Sequence, residues 1–355
     1  MARDMARVTG VTERLIRLLA RHLPGYEVRS VERLGEGQDN AAYEINGELV
    51  IRQSKIDDSA PHNDSAPHSG AGPHNDTVLH RDAAPRDDTT FHRDPAQHGG
   101  AVQHGDPARQ RDPVPHGDSA SRAEVVRREA ALLVVVSEVS PLPVPRPIFV
   151  DAEAGVLAYR KLPGRPLNLH PVREPARLAA PLGAFLSALH VLPVGRMEDL
   201  VPRDAFPLRD LREEAEGDYE KIADRLPAEE RRLVEEFFAA EVPPDPETLT
   251  FCHNDLGSEH LLVDVETSAV TGVVDWTDAA IADPAYDLAL VYRDLGPEVY
   301  GRTLAHYQGH HDDADHERML FYARCALLED VAYGLCTGIR PYAEAGLAHL
   351  GRTFS

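Results

Sequence analysis

The sequence predicts an α+β chain of two lobes, an antiparallel sheet with a helix first and a larger, mainly helical lobe after it. Three observations carry this. Short β-patterned runs crowd the first part and turn at Asn46-Gly47, a dipeptide suited to the left-handed positions of a tight hairpin. Residues 174–191 repeat apolar side chains at spacings of three and four, the period of a helix face, and further helical segments follow. Between these segments, residues 248–276 show short apolar runs flanking a polar loop, with a third run ending at Asp275.

From the N-terminus, residues 11–23 put Leu15, Leu18, Leu19 and Leu23 on one helical face, and Pro24-Gly25 stops the helix. A strand from about Tyr26 to Leu34 runs into the loop Gly35-Glu36-Gly37-Gln38-Asp39-Asn40. Strands over 41–45 and 48–53 form the hairpin, the second ending near Arg52. A helix starts near Arg122 and carries Glu124 and Glu129 ahead of the apolar Ala130-Ala131-Leu132-Leu133. Pro141 to Pro147 reads as an extended connector, leading to strands at 148–150 and 156–159 around a turn at 151–155. A boundary near residue 163 gives lobes of 1–162 and 163–355.

Residues 57–121 interrupt the first lobe. In steps of six from His62 the positions read His62, His68, His74, His80, Arg86, His92, His98, His104, Gln110 and His116, with Asp two residues later in eight of ten. The units lack the apolar residue that a stacked hexapeptide coil buries, so the segment is expected to be disordered. His80-Arg81-Asp82 and its copies imitate a catalytic triplet, but no apolar strand and second carboxylate follow them.

In the second lobe, helices are expected at 174–191, 208–226 and 228–241, with His190 as a packing or capping residue. Pro243-Pro244-Asp245-Pro246 then breaks the chain. Asp283-Pro284 reads as an N-cap followed by proline at the first helical position. Helices at 285–295, 297–308, 316–337 and 341–350 complete the chain.

The stretch around residue 255 carries the chemistry. His253, Asp255 and Asp275 are expected at strand ends facing one cleft, an arrangement suited to metal-assisted phosphoryl transfer. Asp255 is placed to accept a hydroxyl proton, and Asp275 offers the hard oxygen that Mg2+ prefers. His253-Asn254-Asp255-Leu256-Gly257-Ser258-Glu259-His260, then Val273-Val274-Asp275-Trp276 and Asp283-Pro284-Ala285-Tyr286-Asp287, resembles the aminoglycoside phosphotransferase family.

That resemblance implies a bilobal, protein-kinase-like fold, ATP or GTP as phosphate donor, and Mg2+. It implies a nucleotide loop at Gly35, Gly37, Asp39 and Asn40, and a phosphate-holding cation at Arg52, paired with Glu129. An inter-lobe hinge falls at Tyr159 to Lys161. Lys55 is the competing cation, three residues on from Arg52. The family usually has glycine at position 254. At position 260 it has an asparagine metal ligand, so His260 is the counterpart that stands with Asp275. Macrolide phosphotransferases carry a similar histidine.

Composition narrows the partners. With 37 basic and 59 acidic residues the formal charge is −22, a field that repels nucleic acid and anionic membranes and attracts cations. Lysine occurs only at Lys55, Lys161 and Lys221. No apolar run approaches the roughly 20 residues that span a bilayer, and the N-terminus lacks the apolar core of a signal peptide, so a cytoplasmic protein is expected. Cys252, Cys325 and Cys336 are too scattered for a disulfide framework. Seven residues between Asp275 and Asp283 leave no room for a protein-kinase activation segment, which implies an acceptor site open to a small hydroxylated molecule. Aminoglycoside-like antibiotics come first, macrolides second, and a metabolite alcohol such as homoserine, a sugar or choline third. Asp278, Asp312, Asp313, Asp315, Glu329 and Asp330 are candidates to line a pocket for a cationic acceptor. A noncatalytic nucleotide- or metal-binding pseudokinase is the alternative from another class, favoured by His260 and opposed by the intact Asp255 and Asp275.

Overall fold

The computed structural model describes residues 2–36, 40–56, 121–338 and 340–355. The hexad repeat up to Ala120, together with Gly37 and Asp39, lies outside the described residues.

Five antiparallel strands form the first sheet: β1 (Val31–Glu36), β2 (Asn40–Ile45), β3 (Leu49–Ser54), β4 (Pro147–Asp151) and β5 (Val156–Arg160), in the order β1-β2-β3-β5-β4. Strand alternation divides their side chains between two faces. Ile45, Leu49, Ile51, Val156 and Ala158 bury against Leu15, Leu18 and Leu19 of α1 (Ala2–His22). Each of those leucines stabilises the docking by about 2 kcal/mol. Ala42, Val50, Leu157 and Tyr159 turn the other way and join Val126, Ala130, Leu133 and Val136 of α2 (Arg122–Val139) in the main core. Arg52, two residues beyond Val50, therefore faces the α2 side.

The Asn46-Gly47 turn adopts left-handed backbone at both positions, φ 55° and 73°. Its side chain corrects one expectation: the strand begins at Val31 and not near Tyr26. Asn46 Oδ1 accepts from the Arg29 and Ser30 amides at 2.7 and 3.0 Å, and Nδ2 donates to Glu27 O at 2.8 Å. One side chain thus satisfies backbone groups that a ladder would otherwise have paired.

Beyond β5 the chain reaches a second sheet, β6 (Arg165–Pro166), β8 (Leu261–Asp264) and β9 (Ala269–Val273), in the order β6-β8-β9. Gly164 makes this passage possible. Its φ is 104°, and a Cβ there would lie 2.0 Å from Thr271 Oγ1 and 2.9 Å from Val263 O. β7 (Thr250–Cys252) pairs antiparallel with β10 (Ala280–Ala282). Around these pack α3 (Ala179–His190), α4 (Val194–Met197), α5 (Leu208–Ile222), α6 (Ala228–Ala239), α7 (Pro284–Leu304), α8 (Asp313–Thr337) and α9 (Arg340–Phe354).

The two helices expected at 285–295 and 297–308 meet within α7 at Gly296, whose φ of 81° and ψ of 174° are not helical, and the second ends at Leu304. α8 starts earlier than its apolar pattern suggests because Asp312 and Asp315 form a reciprocal capping box. The short β6, β10 and α4 carry too few residues to show a period. One apolar core runs from Leu34 to Phe354 and encloses Phe185, Phe251 and Trp276. No helix among the described residues is long and apolar enough to cross a membrane.

Candidate active site

The loop between β7 and β8 is held from behind by Asp287, one turn into α7 and fully buried. Its Oδ2 accepts from the His253 amide at 3.0 Å and its Oδ1 from the Asn254 amide at 2.7 Å. His190, at the end of α3, donates from Nε2 to Oδ2 at 3.1 Å, and the Tyr307 hydroxyl lies 2.7 Å from its Nδ1. Burial works to raise the Asp287 pKa, but the His190 bond and charge, with the loop amides, outweigh it and hold the carboxyl below its ordinary range. Two further carboxylates brace the same region. Asp294 Oδ2 accepts from the Ser258 amide at 2.7 Å, and Asp283 caps α7 through Ala285 N at 3.0 Å while taking Arg318 Nε at 2.7 Å.

Asn254 has φ 64°. Asparagine tolerates the left-handed region better than most side chains, which accounts for a non-glycine residue at this kink. His253 turns inward. Its ring is 4.5 Å from that of Trp276 between centroids, and Nε2 donates to Val274 O at 3.2 Å. Burial drives its pKa down to about 4, so the ring is neutral near pH 7.

Asp255, His260 and Asp275 come together in front of this scaffold. His260 Nδ1 is 2.7 Å from the Asp255 carbonyl oxygen and 3.3 Å from Asp255 Oδ2. Its Nε2 is 3.8 Å from Asp275 Oδ2. Asp275 sits on a second left-handed kink, φ 59°, and its Oδ1 accepts from Thr277 Oγ1 at 2.8 Å. Arg52 reaches in from β3: Nη1 lies 2.7 Å from Glu129 Oε1 and 4.0 Å from Asp275 Oδ1, and Nη2 donates to Thr277 Oγ1 at 3.0 Å. The arrangement joins two carboxylates, a buried imidazole and a guanidinium from the first sheet.

The remaining sequence candidates are more dispersed. Gly35 lies in β1 at a bulge opposite Ala42, and Asn40 starts β2 opposite Ser54. Tyr159 pairs with Val50 in the sheet. The Lys161 amide donates to Glu48 O at 2.8 Å, and its Nζ meets Glu44 Oε2 at 2.6 Å, so this N–H is committed within the sheet. Among the acidic candidates, Asp330 pairs with buried Arg293 at 2.9 Å and Asp315 with Arg318, while Glu329 borders a cleft between α5 and α8. Thr277, Glu44 and the His190–Tyr307 pair went unrecognised in the sequence. Thr277 stands two residues beyond Asp275, a spacing that could have flagged it.

An antiparallel sheet set over a helical lobe, with facing carboxylates on β-loops and an Arg–Glu pair linking strand to helix, defines a kinase-like phosphotransferase. The chain matches the Phosphotransferase enzyme family over residues 30–322 and belongs to it. It is 30% identical over 195 residues to the aminoglycoside 3'-phosphotransferase of Streptomyces fradiae, covering 51% of this chain and 71% of that one. It is 28% identical over 201 residues to the viomycin phosphotransferase of Streptomyces vinaceus, covering 55% of this chain and 69% of that one. Among solved structures, the GDP and kanamycin complex of APH(2")-IIia superposes with a TM-score of 0.59 at 19% identity, over 96% of this chain and 98% of that one. That last likeness is one of fold.

Proposed function

We propose that this chain moves the γ-phosphoryl group of ATP or GTP to a hydroxyl of a cationic, aminoglycoside-like antibiotic, with Asp255 as the base. The observation that carries this reading is the convergence of Asp255 and Asp275 on His260 while Arg52 approaches from the sheet. Asp255 takes the acceptor proton as its oxygen attacks. Arg52 is held rigid by Glu129 and Thr277 and presents fixed positive charge to nucleotide phosphates. Asp287 fixes the backbone on which Asp255 hangs, so the base is positioned before substrate arrives.

The donors fit a divalent cation. His260 Nε2 is buried and has no hydrogen-bond partner among the described residues, and Asp275 Oδ2 lies 3.8 Å from it. Asp275 and His260 would hold Mg2+, which neutralises phosphate charge during transfer.

The candidate surface for a cationic acceptor is the cleft of about 430 Å³ between α5 and α8, bordered by Glu213, Glu214 and Glu329 and by the Asp218–Lys221 ion pair. Macrolides form the second acceptor class, on the strength of His260. The test is nucleotide consumption by purified protein with ATP or GTP against aminoglycosides, viomycin, macrolides and metabolite alcohols. Asp255→Asn is expected to lower acceptor-dependent turnover by about 10²–10⁴ while sparing nucleotide binding. Undiminished turnover in that variant removes Asp255 from its role.

A further inference from the structure

The position of one buried nitrogen says which metal this site prefers. The His260 ring is enclosed, its side chain 1% exposed, so it has no solvent-facing alternative. Nδ1 lies 2.7 Å from the Asp255 carbonyl oxygen, an acceptor that only an N–H satisfies. With Nδ1 committed to that carbonyl, Nε2 is the ring atom left to act as a ligand. That atom makes no hydrogen bond among the described residues and stands 3.8 Å from Asp275 Oδ2. A buried polar atom without a partner is uncommon, and this one stands beside a carboxylate at a separation too long for a hydrogen bond. Donors of these two kinds bind divalent cations at about 2.1 Å, so His260 Nε2 and Asp275 could hold one ion together.

We infer that the centre formed by His260 and Asp275 selects a first-row transition-metal dication of the Mn2+ or Co2+ kind over Mg2+. The inference rests on the phosphotransferase reading above and deepens it. Mg2+ is hard, dehydrates reluctantly and favours oxygen donors. Imidazole nitrogen is a borderline donor whose affinity rises along the first transition row. An amide side chain at position 260 would offer an oxygen, but His260 offers only nitrogen, and its anchored Nδ1 stops the ring from turning Nε2 away. The carbonyl bond on Nδ1 also fixes the tautomer and makes the ring a better ligand.

The test uses the full-length protein with a nonhydrolysable ATP or GTP analogue and reads binding directly. Mn2+ and Mg2+ dissociation constants are measured by competition, and the bound Mn2+ is examined for hyperfine coupling to a ring ¹⁴N. The same measurements are made on His260→Asn and Asp275→Asn, with thermal melts to establish folding. Histidines of the hexad repeat are further candidate ligands, so the difference between wild type and His260→Asn isolates this centre. The ratio of the Mg2+ to the Mn2+ dissociation constant is expected to be at least about tenfold larger in the wild type, and the ¹⁴N coupling to vanish in the variant. An equal ratio in the two proteins, or no nitrogen coupling in the wild type, overturns the selectivity and leaves the phosphotransferase reading standing. Metal binding that is absent, or unaltered by Asp275→Asn, overturns the metal centre itself and the selectivity with it.

Discussion

Asp287→Asn tests whether the catalytic loop depends on a single buried carboxylate. Three donors meet its two oxygens: Asn254 N on Oδ1 at 2.7 Å, and His253 N and His190 Nε2 on Oδ2 at 3.0 and 3.1 Å. An amide keeps one acceptor and sets an NH2 group where the other oxygen stood. In either orientation at least one main-chain N–H of the loop faces a donor, at about 1–3 kcal/mol. The bonds that survive also lose their charge assistance, about 1 kcal/mol more. Urea unfolding should therefore show a loss of about 2–4 kcal/mol. Turnover should fall by about tenfold to a hundredfold, because displacing the loop displaces Asp255. The pH dependence has a definite sign. The folded carboxyl titrates below its ordinary value, so its contribution is fully present above the unfolded pKa of about 4 and is lost as pH falls through the folded pKa. Wild type should lose more stability on acidification than the variant. A midpoint shift equivalent to less than about 0.5 kcal/mol, with wild-type turnover, would refute the reasoning.

Two other substitutions follow from the same geometry. Arg52→Lys keeps the charge but loses the planar fork that spans Glu129 and Thr277, so the nucleotide KM should rise about tenfold with a smaller change in kcat, read from steady-state kinetics. Asn254 sits at φ 64°, so Asn254→Gly should remain within about 0.5 kcal/mol of wild type in urea unfolding, and Asn254→Val should cost about 1–2 kcal/mol or more.

Much of the fold was legible because its signals are local. The Asn46-Gly47 hairpin, the leucine face of α1 and the Asp283-Pro284 start of α7 each state their geometry within a few residues. The Arg52–Glu129 contact, 77 residues apart, was reached only through the family resemblance, which sets a strand-borne cation against a glutamate of the next helix. The His190–Asp287 and His190–Tyr307 bonds, at separations of 97 and 117, carry no comparable signal. Each of these residues has an ordinary local role in its own helix or turn, and only packing brings them together. Asn46 misled for a related reason. Its side chain acts on residues 27–30, and a propensity for strand cannot register that competition.

Left-handed kinks explain how two distant loops aim at one imidazole. In regular strand, neighbouring side chains alternate between faces, and a carboxylate at the end of β7 or β9 would keep to the direction of its strand. The kinks at Asn254 and Asp275, φ 64° and 59°, break that alternation immediately before Asp255 and at Asp275 itself. Such backbone costs about 1–2 kcal/mol in most residues with a Cβ and less in Asn and Asp, the types found at both kinks. Loop amides bonded to Asp287, the Thr277–Asp275 bond and the burial of Leu256 and Trp276 offset that cost. The backbone is thus strained where the carboxylates must point, and bonded where it must not move. His260, at the far end of the loop that carries Asp255, touches both ends of the construction. Its Nδ1 meets the Asp255 carbonyl and its Nε2 faces Asp275, so this one side chain touches both the proposed base and the proposed metal ligand.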